Sequence, residues 1–418
     1  MSKSKLITVK EISAMSEEVV VVSALRTAFG KFCGTLRETP TYVLGAFVIE
    51  EALRKAKIPK DQVDQVFMGS AIHAENEDFI SPCMARQSLL KAGLPPETQS
   101  VTIDKACCSS MTALHMAFNS IRWGESDVVV ALGAENFSRV PFIVHPHVRL
   151  GQGPKLGHIN IRDPLVRMGY INFNPVSVDA GQVALEYGVM REEQDRWAVL
   201  SQMRYQEAKQ AGKFKDEIVP IKVRLGNEEV WFEEDEFPKP NTTMEKLAKL
   251  QTVYDSPTVT AGNAPGLNDG ASCMVVMSLK KAREMNIKPL ARIIETGSVC
   301  DLPRNITIVP AKVINHLLKK SGFGIEDIDL LEINEAFAAM PVTCARILSN
   351  GNDSMEETIR EKLNVNGGAV AIGHPLGASA IRITLTLIYE LGRRGGGRGI
   401  AAICGGLAQG EGVLVETL

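Results

Sequence analysis

The chain has 418 residues, 45% of them hydrophobic, with a formal net charge of -3, which suits a compact globular protein of two or three domains. Its basic residues are dispersed and not gathered into a stripe with interleaved aromatics, which argues against a nucleic-acid-binding protein, and no apolar run reaches transmembrane length. The cysteines at 33, 83, 107, 108, 273, 300, 344 and 404 show neither zinc-like spacing nor a dense disulfide pattern, so a reducing, cytoplasmic setting is expected and no metal site.

The first residues, Met1 to Glu18, are polar and mixed in charge, without an apolar core or a small-residue cleavage site. They read as a short extension and not as a signal peptide. Asp61 to Gly69 then reads as a helix end running into a buried strand. The stretch from Ser100 to Ala113 is the most informative. Val101-Thr102-Ile103 has a strand pattern, ends at Asp104-Lys105-Ala106, and delivers Cys107 to the start of an amphipathic helix with Met111, Leu114, Met116 and Phe118 on its apolar face. A thiol there lies among unpaired amide N–H groups at the positive end of the helix dipole, so its pKa is expected to fall toward neutrality. The same segment also reads as a buried structural cysteine, a common fate of free thiols.

Asp127 to Gly133 is a further strand. From Phe137 to Pro265 the character changes: loop-rich stretches alternate with a helical pattern over Arg191–Ala211 and an acidic patch at Glu233 to Glu236, as expected of an insertion. His145 and His147 lack an accompanying carboxylate or cysteine cluster and read as surface or pocket-lining residues. Strand patterns return at Gly270 to Met277 and at Glu326 to Asn334. Leu363 to Asn366 reads as a short strand, followed by Gly367-Gly368, by Gly373-His374-Pro375-Leu376-Gly377-Ala378-Ser379 and by a helix over Ile381–Leu391. This second turn places a histidine where the first placed Cys107. Gly399 to Gly405 and Gly410 to Glu416 repeat the strands at Asp127 and Gly270. A long-period repeat of strands and helices implies two similar α/β domains.

Over about Val19 to Glu416 the chain resembles a thiolase. The resemblance rests on Arg26-Thr27, Ala85-Arg86-Gln87, the Cys107 segment, Gly133-Ala134-Glu135, Thr260-Ala261-Gly262-Asn263-Ala264, Asn268-Asp269-Gly270, Asn334-Glu335-Ala336-Phe337-Ala338, Gly373-His374-Pro375 and Cys404-Gly405-Gly406. It implies an α/β fold of duplicated βαβαβαββ domains in a five-layered α-β-α-β-α core. The implied units are an N-terminal domain of residues 17–140 with about 265–290, an inserted coenzyme A-binding loop domain of 141–264, and a C-terminal domain of 291–418. It also implies cleavage of a 3-oxoacyl-CoA, or the reverse condensation, through an acyl-cysteine. Coenzyme A is then a co-substrate, with no resident cofactor, and the assembly a homodimer or dimer of dimers, with an accessory subunit left open.

Within that pattern Cys107 is the nucleophile, His374 its base and Cys404 the acid/base for the enolate carbon. Asn334 holds a water that forms one oxyanion hole with His374, and the backbone N–H groups of Cys107 and Gly406 form the other. Val176, Asp179, Lys239, Ala264 and Pro265 fall on substrate- and CoA-binding positions. Cys108 and the remaining cysteines read as core residues, Asp104 and Lys105 as strand-end and helix-start residues, and Glu335 as a hydrogen-bonding anchor.

Departures from the pattern fall mainly on the binding side. Cys108-Ser109-Ser110 and Ala380 lack expected glycines, Val176-Ser177-Val178-Asp179-Ala180 replaces a Met-Gly pair followed by Thr-Ala, and Pro265 replaces a serine. An acidic Asp179 must face solvent or meet a polar partner. These changes point to a degradative enzyme with a larger, branched, cyclic or functionalised acyl group. A ketosynthase-like enzyme would use two histidines, or histidine and asparagine, without Cys404, and a non-catalytic CoA-thioester-binding subunit would have lost one of Cys107, His374 or Cys404.

Overall fold

The computed structural model describes residues 17–72, 82–166, 170 and 172–417. Residues 1–16 of the expected N-terminal extension lie outside them. The main strands are β1 Val19–Arg26, β2 Gln65–Gly69, β3 Gln99–Ile103, β4 Val128–Asn136, β5 Asn268–Ser278, β6 Ala291–Cys300, β7 Leu330–Ile333, β8 Gly397–Gly405 and β9 Gln409–Thr417. Their spatial order is β7-β8-β9-β6-β1-β5-β4-β2-β3, with the short strand Gly30–Lys31 on β5.

The repeat read from the sequence is visible in this order. Strands β1 and β6 meet antiparallel through three residue pairs, from Val19 with Ile293 to Val21 with Ala291. Outward from that joint, β1-β5-β4-β2 and β6-β9-β8-β7 follow the same course of two antiparallel pairings and one parallel pairing. The first half continues to β3, parallel to β2. The counterpart expected at Leu363 to Asn366 is reduced to one bridge between Leu331 and Leu363. There Asn364 adopts a left-handed φ of 50°, and its side-chain amide, not its backbone, pairs with both backbone groups of Ile333.

The principal helices are α1 Thr41–Ala56, α2 Met84–Lys91, α3 Ser109–Arg122, α4 Val176–Glu186, α5 Arg191–Gln210, α6 Val309–Ser321, α7 Ala339–Leu348, α8 Asp353–Lys362 and α9 Leu376–Arg393. Every residue of β1, β4 and β5 is buried, so these strands are covered on both faces. One face, with Val20, Val130 and Val275, packs on Leu44 and Ile49 of α1 and Leu89 of α2. The other, with Val21, Val129 and Val276, packs on Leu114 and Phe118 of α3 and Ile381 and Leu385 of α9. That middle helical layer also meets Ile403 and Val413 of the second half, whose opposite face packs on Val313 and Leu317 of α6 and Val342 of α7. Five layers result, helix-sheet-helix-sheet-helix.

Between β4 and β5 the chain makes its long excursion, and α5 lays Trp197 and Ala198 onto the core of the second half. His145 and His147 are exposed and stack at 4.2 Å between ring centroids. Cys33, Cys83 and Cys300 are exposed, contrary to the expectation of core positions, because they sit at a left-handed turn, before α2 and at the end of β6. Among the described residues no helix is long and apolar enough to cross a membrane.

Candidate active site

The turn ahead of α3 and the turn ahead of α9 meet where the halves face each other, and glycines set how closely. A Cβ on Gly133 of β4 would stand 1.9 Å from the carbonyl oxygen of Gly377, and one on Gly69 of β2 would stand 2.4 Å from the amide nitrogen of Ser110. Without side chains there, the first turns of α3 and α9 press directly against the strand ends. Glu135 tightens the junction by accepting N–H groups of Ala71 at 2.9 Å, Ile72 at 3.1 Å and Gly377 at 3.0 Å. Ahead of α3, Ala106 takes a left-handed φ of 50°, and its N–H donates to Asp104 Oδ1 at 3.0 Å. That conformation costs an L-residue roughly 1–2 kcal/mol. Lys105 pairs with Glu411 at 2.6 Å and its N–H donates to Ser109 Oγ, so Asp104 and Lys105 shape the turn as expected.

The result is a cysteine and a histidine in hydrogen-bonding contact, with His374 Nε2 3.2 Å from Cys107 Sγ. The surroundings fix the histidine tautomer. Ser379 Oγ lies 2.8 Å from the Pro375 carbonyl, to which it donates its only proton, and 2.6 Å from His374 Nδ1. The hydroxyl must therefore accept from Nδ1–H, which leaves the Nε2 lone pair facing the thiol. Asn334 reaches the same nitrogen with its Nδ2 at 3.4 Å, and the His374 N–H is held by Asn268 Oδ1 at 3.0 Å.

The electrostatics correct one expectation. Burial first, then the neighbouring Cys404, push the Cys107 thiol well above its ordinary range, and the backbone amide contribution that favours thiolate is outweighed. Helix α3 starts only at Ser109, two residues beyond Cys107, so the sulfur does not gain the low pKa anticipated for a helix N-terminus. Burial and the charge of Arg382 hold His374 down at about 3, and burial raises Cys404 to about 12. At neutral pH the resting site is thus thiol, imidazole and thiol, all uncharged. Cys107 keeps part of its surface open, whereas Cys404 is enclosed, with its thiol 3.3 Å from Met340 Sδ. Cys108 is buried and its thiol donates to the Ile403 carbonyl at 3.6 Å, away from His374.

Of the expected binding residues, Val176 packs against the cluster that contains Cys404, Ile306 and Met340. Asp179, buried in the first turn of α4, accepts a hydrogen bond from Asn174 Nδ2 at 2.8 Å, so its polar partner comes from the chain itself. Lys239 and Ala264 line a groove of about 440 Å³ together with Gln202, Asn241, Lys246 and Leu250. Pro265 is half-buried beside Ala264. Glu335 is an anchor, accepting from Trp197, Asn364, Ser201 and the Val370 N–H at 2.8 to 3.0 Å.

Three residues escaped the sequence reading. Ser379 lies five positions after His374. Arg382 is a charge inside the apolar run Ile381-Arg382-Ile383, which was the available signal. Tyr170 had none: its hydroxyl lies 1.7 Å from where a Cβ on Gly406 would be, and Cys107 and Cys404 are among the groups that, after burial, push its phenol up to about 12. Among the described residues no cluster of three or more His, Cys, Asp or Glu could hold a metal ion.

A duplicated α/β scaffold that brings a cysteine and a histidine into contact between its halves, with a second buried cysteine nearby, fits an enzyme that works through a thiol. Comparison with known proteins narrows this to one family. Residues 19–280 match the thiolase N-terminal domain model and residues 287–417 the thiolase C-terminal domain model. An acetyl-CoA acetyltransferase of Syntrophomonas wolfei is 39% identical over 97% of this chain and 100% of its own length, and a beta-ketoadipyl-CoA thiolase of Pseudomonas aeruginosa is 37% identical over 96% and 100%. Among solved structures, the Bacillus anthracis acetyl-CoA acetyltransferase superposes with a TM-score of 0.89 at 37% identity, covering 96% of this chain and 99% of that one. Human mitochondrial 3-ketoacyl-CoA thiolase in complex with CoA gives 0.87 at 36%, covering 96% and 98%. The chain belongs to the thiolase family and is an acyltransferase.

Proposed function

We propose that the protein cleaves a 3-oxoacyl-CoA with coenzyme A through an acyl-Cys107 intermediate. The observation that carries this is the 3.2 Å contact between Cys107 Sγ and a His374 Nε2 that bears no proton of its own. As substrate arrives, Nε2 takes the thiol proton and the sulfur attacks the 3-keto carbon. The oxyanion formed there is met by donors, and collapse breaks the C2–C3 bond, leaving its electrons on the enolate of the departing acyl-CoA. Cys404, protonated at rest, donates its proton to C2. A second coenzyme A thiol, losing its proton to the site, then takes the acyl group and releases Cys107. Asn334 Nδ2 with a water and His374 would serve one oxyanion hole, and the N–H groups of Cys107 and Gly406 the other. Every step runs backwards as a condensation.

The insertion, residues 141–264, is the proposed coenzyme A-binding unit, with Lys239 and Ala264 in the groove as its contacts. The preferred acyl group is proposed to be larger than acetoacetyl, or functionalised. The likeness to a beta-ketoadipyl-CoA thiolase supports this, while Asp179, satisfied by Asn174, acts by shaping α4 and not by touching substrate. The test is a panel of 3-oxoacyl-CoA thioesters followed by loss of absorbance with coenzyme A, and mass spectrometry of the trapped acyl-enzyme. Adduct on Cys107, absent in Cys107→Ser, is expected; adduct on Cys108 would overturn the assignment. A tenfold preference for acetoacetyl-CoA, about 1.4 kcal/mol of transition-state binding, would refute the substrate proposal.

A further inference from the structure

A guanidinium lies directly behind the histidine. Arg382 sits on α9 with no exposed surface, between Ile381 and Ile383 of the buried middle layer. Burying such a charge without full pairing is costly. Its Nε and Nη1 have no hydrogen-bond partner, and the nearest carboxylate, Glu332 of β7, is 3.8 Å from Nη1, beyond hydrogen-bonding distance. Burial, ahead of every other influence, raises Glu332 to about 8, so this carboxyl carries its proton for much of the time at neutral pH. Arg382 is therefore not neutralised by a tight ion pair. The hydrogen bond described for its side chain runs from Nη2 to Asn334 Oδ1, at 3.4 Å.

An asparagine amide has one accepting end and one donating end, and a guanidinium can only donate. Facing Arg382, Asn334 must present its oxygen to Nη2 and turn its NH₂ toward His374, where Nδ2 lies 3.4 Å from Nε2. The opposite orientation would set Nδ2 against the guanidinium and Oδ1 against Nε2. An oxygen there would draw the imidazole proton to Nε2, with Ser379 Oγ turning its own proton from the Pro375 carbonyl onto Nδ1, and this neutral tautomer cannot accept the Cys107 proton; it would also offer no donor to an oxyanion or its bridging water.

We propose that Arg382 is a positioning residue that locks the Asn334 amide with its NH₂ toward the catalytic centre and so keeps His374 Nε2 free to accept the Cys107 proton. The inference rests on the reading of His374 as the base of Cys107. Because Glu332 can hold a proton, an apolar replacement leaves a neutral acid in the core and not a stranded anion, so the fold tolerates it.

The experiment is the rate of Cys107 alkylation by iodoacetamide at neutral pH, mapped by mass spectrometry, on full-length variants with native circular dichroism. His374→Ala serves as the reference for the base itself. Arg382→Met, which removes the donor, is expected to slow alkylation at least tenfold. Arg382→Lys, which keeps a donor of nearly the same reach, is expected to recover most of that loss. In an Asn334→Ala background the Met and Lys variants should react alike, because the group through which Arg382 acts is gone. A Met variant as fast as the parent, a Lys variant no better than Met, or a gap between them that persists in Asn334→Ala would each overturn the proposal. Arg382→Leu replaces Met if the latter does not fold. If His374→Ala alkylates Cys107 at the parent rate, it is the reading of His374 as base that fails.

Discussion

Replacing Gly133 with alanine tests whether close packing of strand and helix sets the catalytic distance. The added Cβ would lie 1.9 Å from the Gly377 carbonyl oxygen and 2.7 Å from Ser110 Cβ. Since real Cβ contacts do not fall below 3.0 Å, the first turn of α9 must retreat by about 1.1 Å, and Gly377 is only three residues from His374. Neither neighbour is the flexible end of a long side chain, so the strain is relieved by moving backbone. Overpacking of this kind costs roughly 1–3 kcal/mol of stability. The larger effect is on chemistry, because the His374 to Cys107 contact of 3.2 Å spans the same junction. A displacement near 1 Å costs on the order of a hundredfold in rate, about 2.7 kcal/mol of barrier. Coenzyme A-dependent loss of 3-oxoacyl-CoA absorbance gives kcat, and thermal unfolding gives the stability change. A folded Gly133→Ala enzyme with kcat within about twofold of the parent would refute the reasoning.

Further expectations follow from the same geometry. Cys404→Ala should still accept an acyl group on Cys107 from an acyl-CoA but should lose carbon–carbon cleavage and α-proton exchange, since only enolate chemistry needs the second proton carrier; equal loss in both half-reactions would remove its separate role. Ser379→Ala frees the histidine tautomer and should lower kcat by roughly tenfold or more, a share of the ~10²–10⁴ that acid–base catalysis contributes, with little change in the melting temperature. Glu390 concerns stability: burial pushes its pKa up, but hydrogen bonds from Asn366, Arg394, Lys213 and Arg393 pull it from 4.5 to about 2. Its folded-state pKa is depressed, so its contribution is present above about 4.5 and lost as pH falls through about 2. Glu390→Gln should therefore cost roughly 1.5–3 kcal/mol at pH 7 and progressively less in denaturant titrations toward pH 3, and a deficit independent of pH would contradict this.

The scaffold was legible, and so were the segments that carry Cys107, His374 and Cys404, because glycines and apolar runs at the ends of strands and helices leave a local signature there. The internal repeat was legible for the same reason, down to Asp127 to Gly133 and Gly399 to Gly405, which fall on the corresponding strands β4 and β8. What a local pattern cannot contain is the sum of burial over the whole fold. The pKa of Cys107 is the clearest instance: the helix start argued for a low value, and the packing of both halves around the sulfur decides for a high one. The strand expected at Leu363 failed because Asn364 spends its amide on β7. Asp179 is the opposite case. Its partner, Asn174, stands only five residues earlier, so the local sequence held the answer, while the substitution it accompanies drew the reading toward substrate. Ser379 and Arg382 became meaningful only once their hydrogen-bond partners were known.

In the proposed mechanism two thiols of ordinary chemistry take opposite tasks, and the difference lies in their surroundings. Both are raised by burial, so neither is a thiolate at rest. Cys107, partly open, has beside it a nitrogen lone pair held in place by Ser379 and faced by an amide, so its proton has somewhere to go when an electrophile arrives. Cys404 faces Met340 Sδ, Ile306 and Ala408, groups that cannot take a proton from a thiol, so it keeps its own until a carbanion forms within reach. Environments that direct two titratable groups toward different proton-transfer partners are how such a mechanism divides acid from base. Two buried polar groups act one step removed: Glu135 by clamping the turn that carries His374, the Arg382 guanidinium by orienting the amide beside it. An uncharged resting site avoids the cost of holding an ion pair in a buried pocket, and it makes nucleophile formation depend on the arrival of a carbonyl able to accept the negative charge.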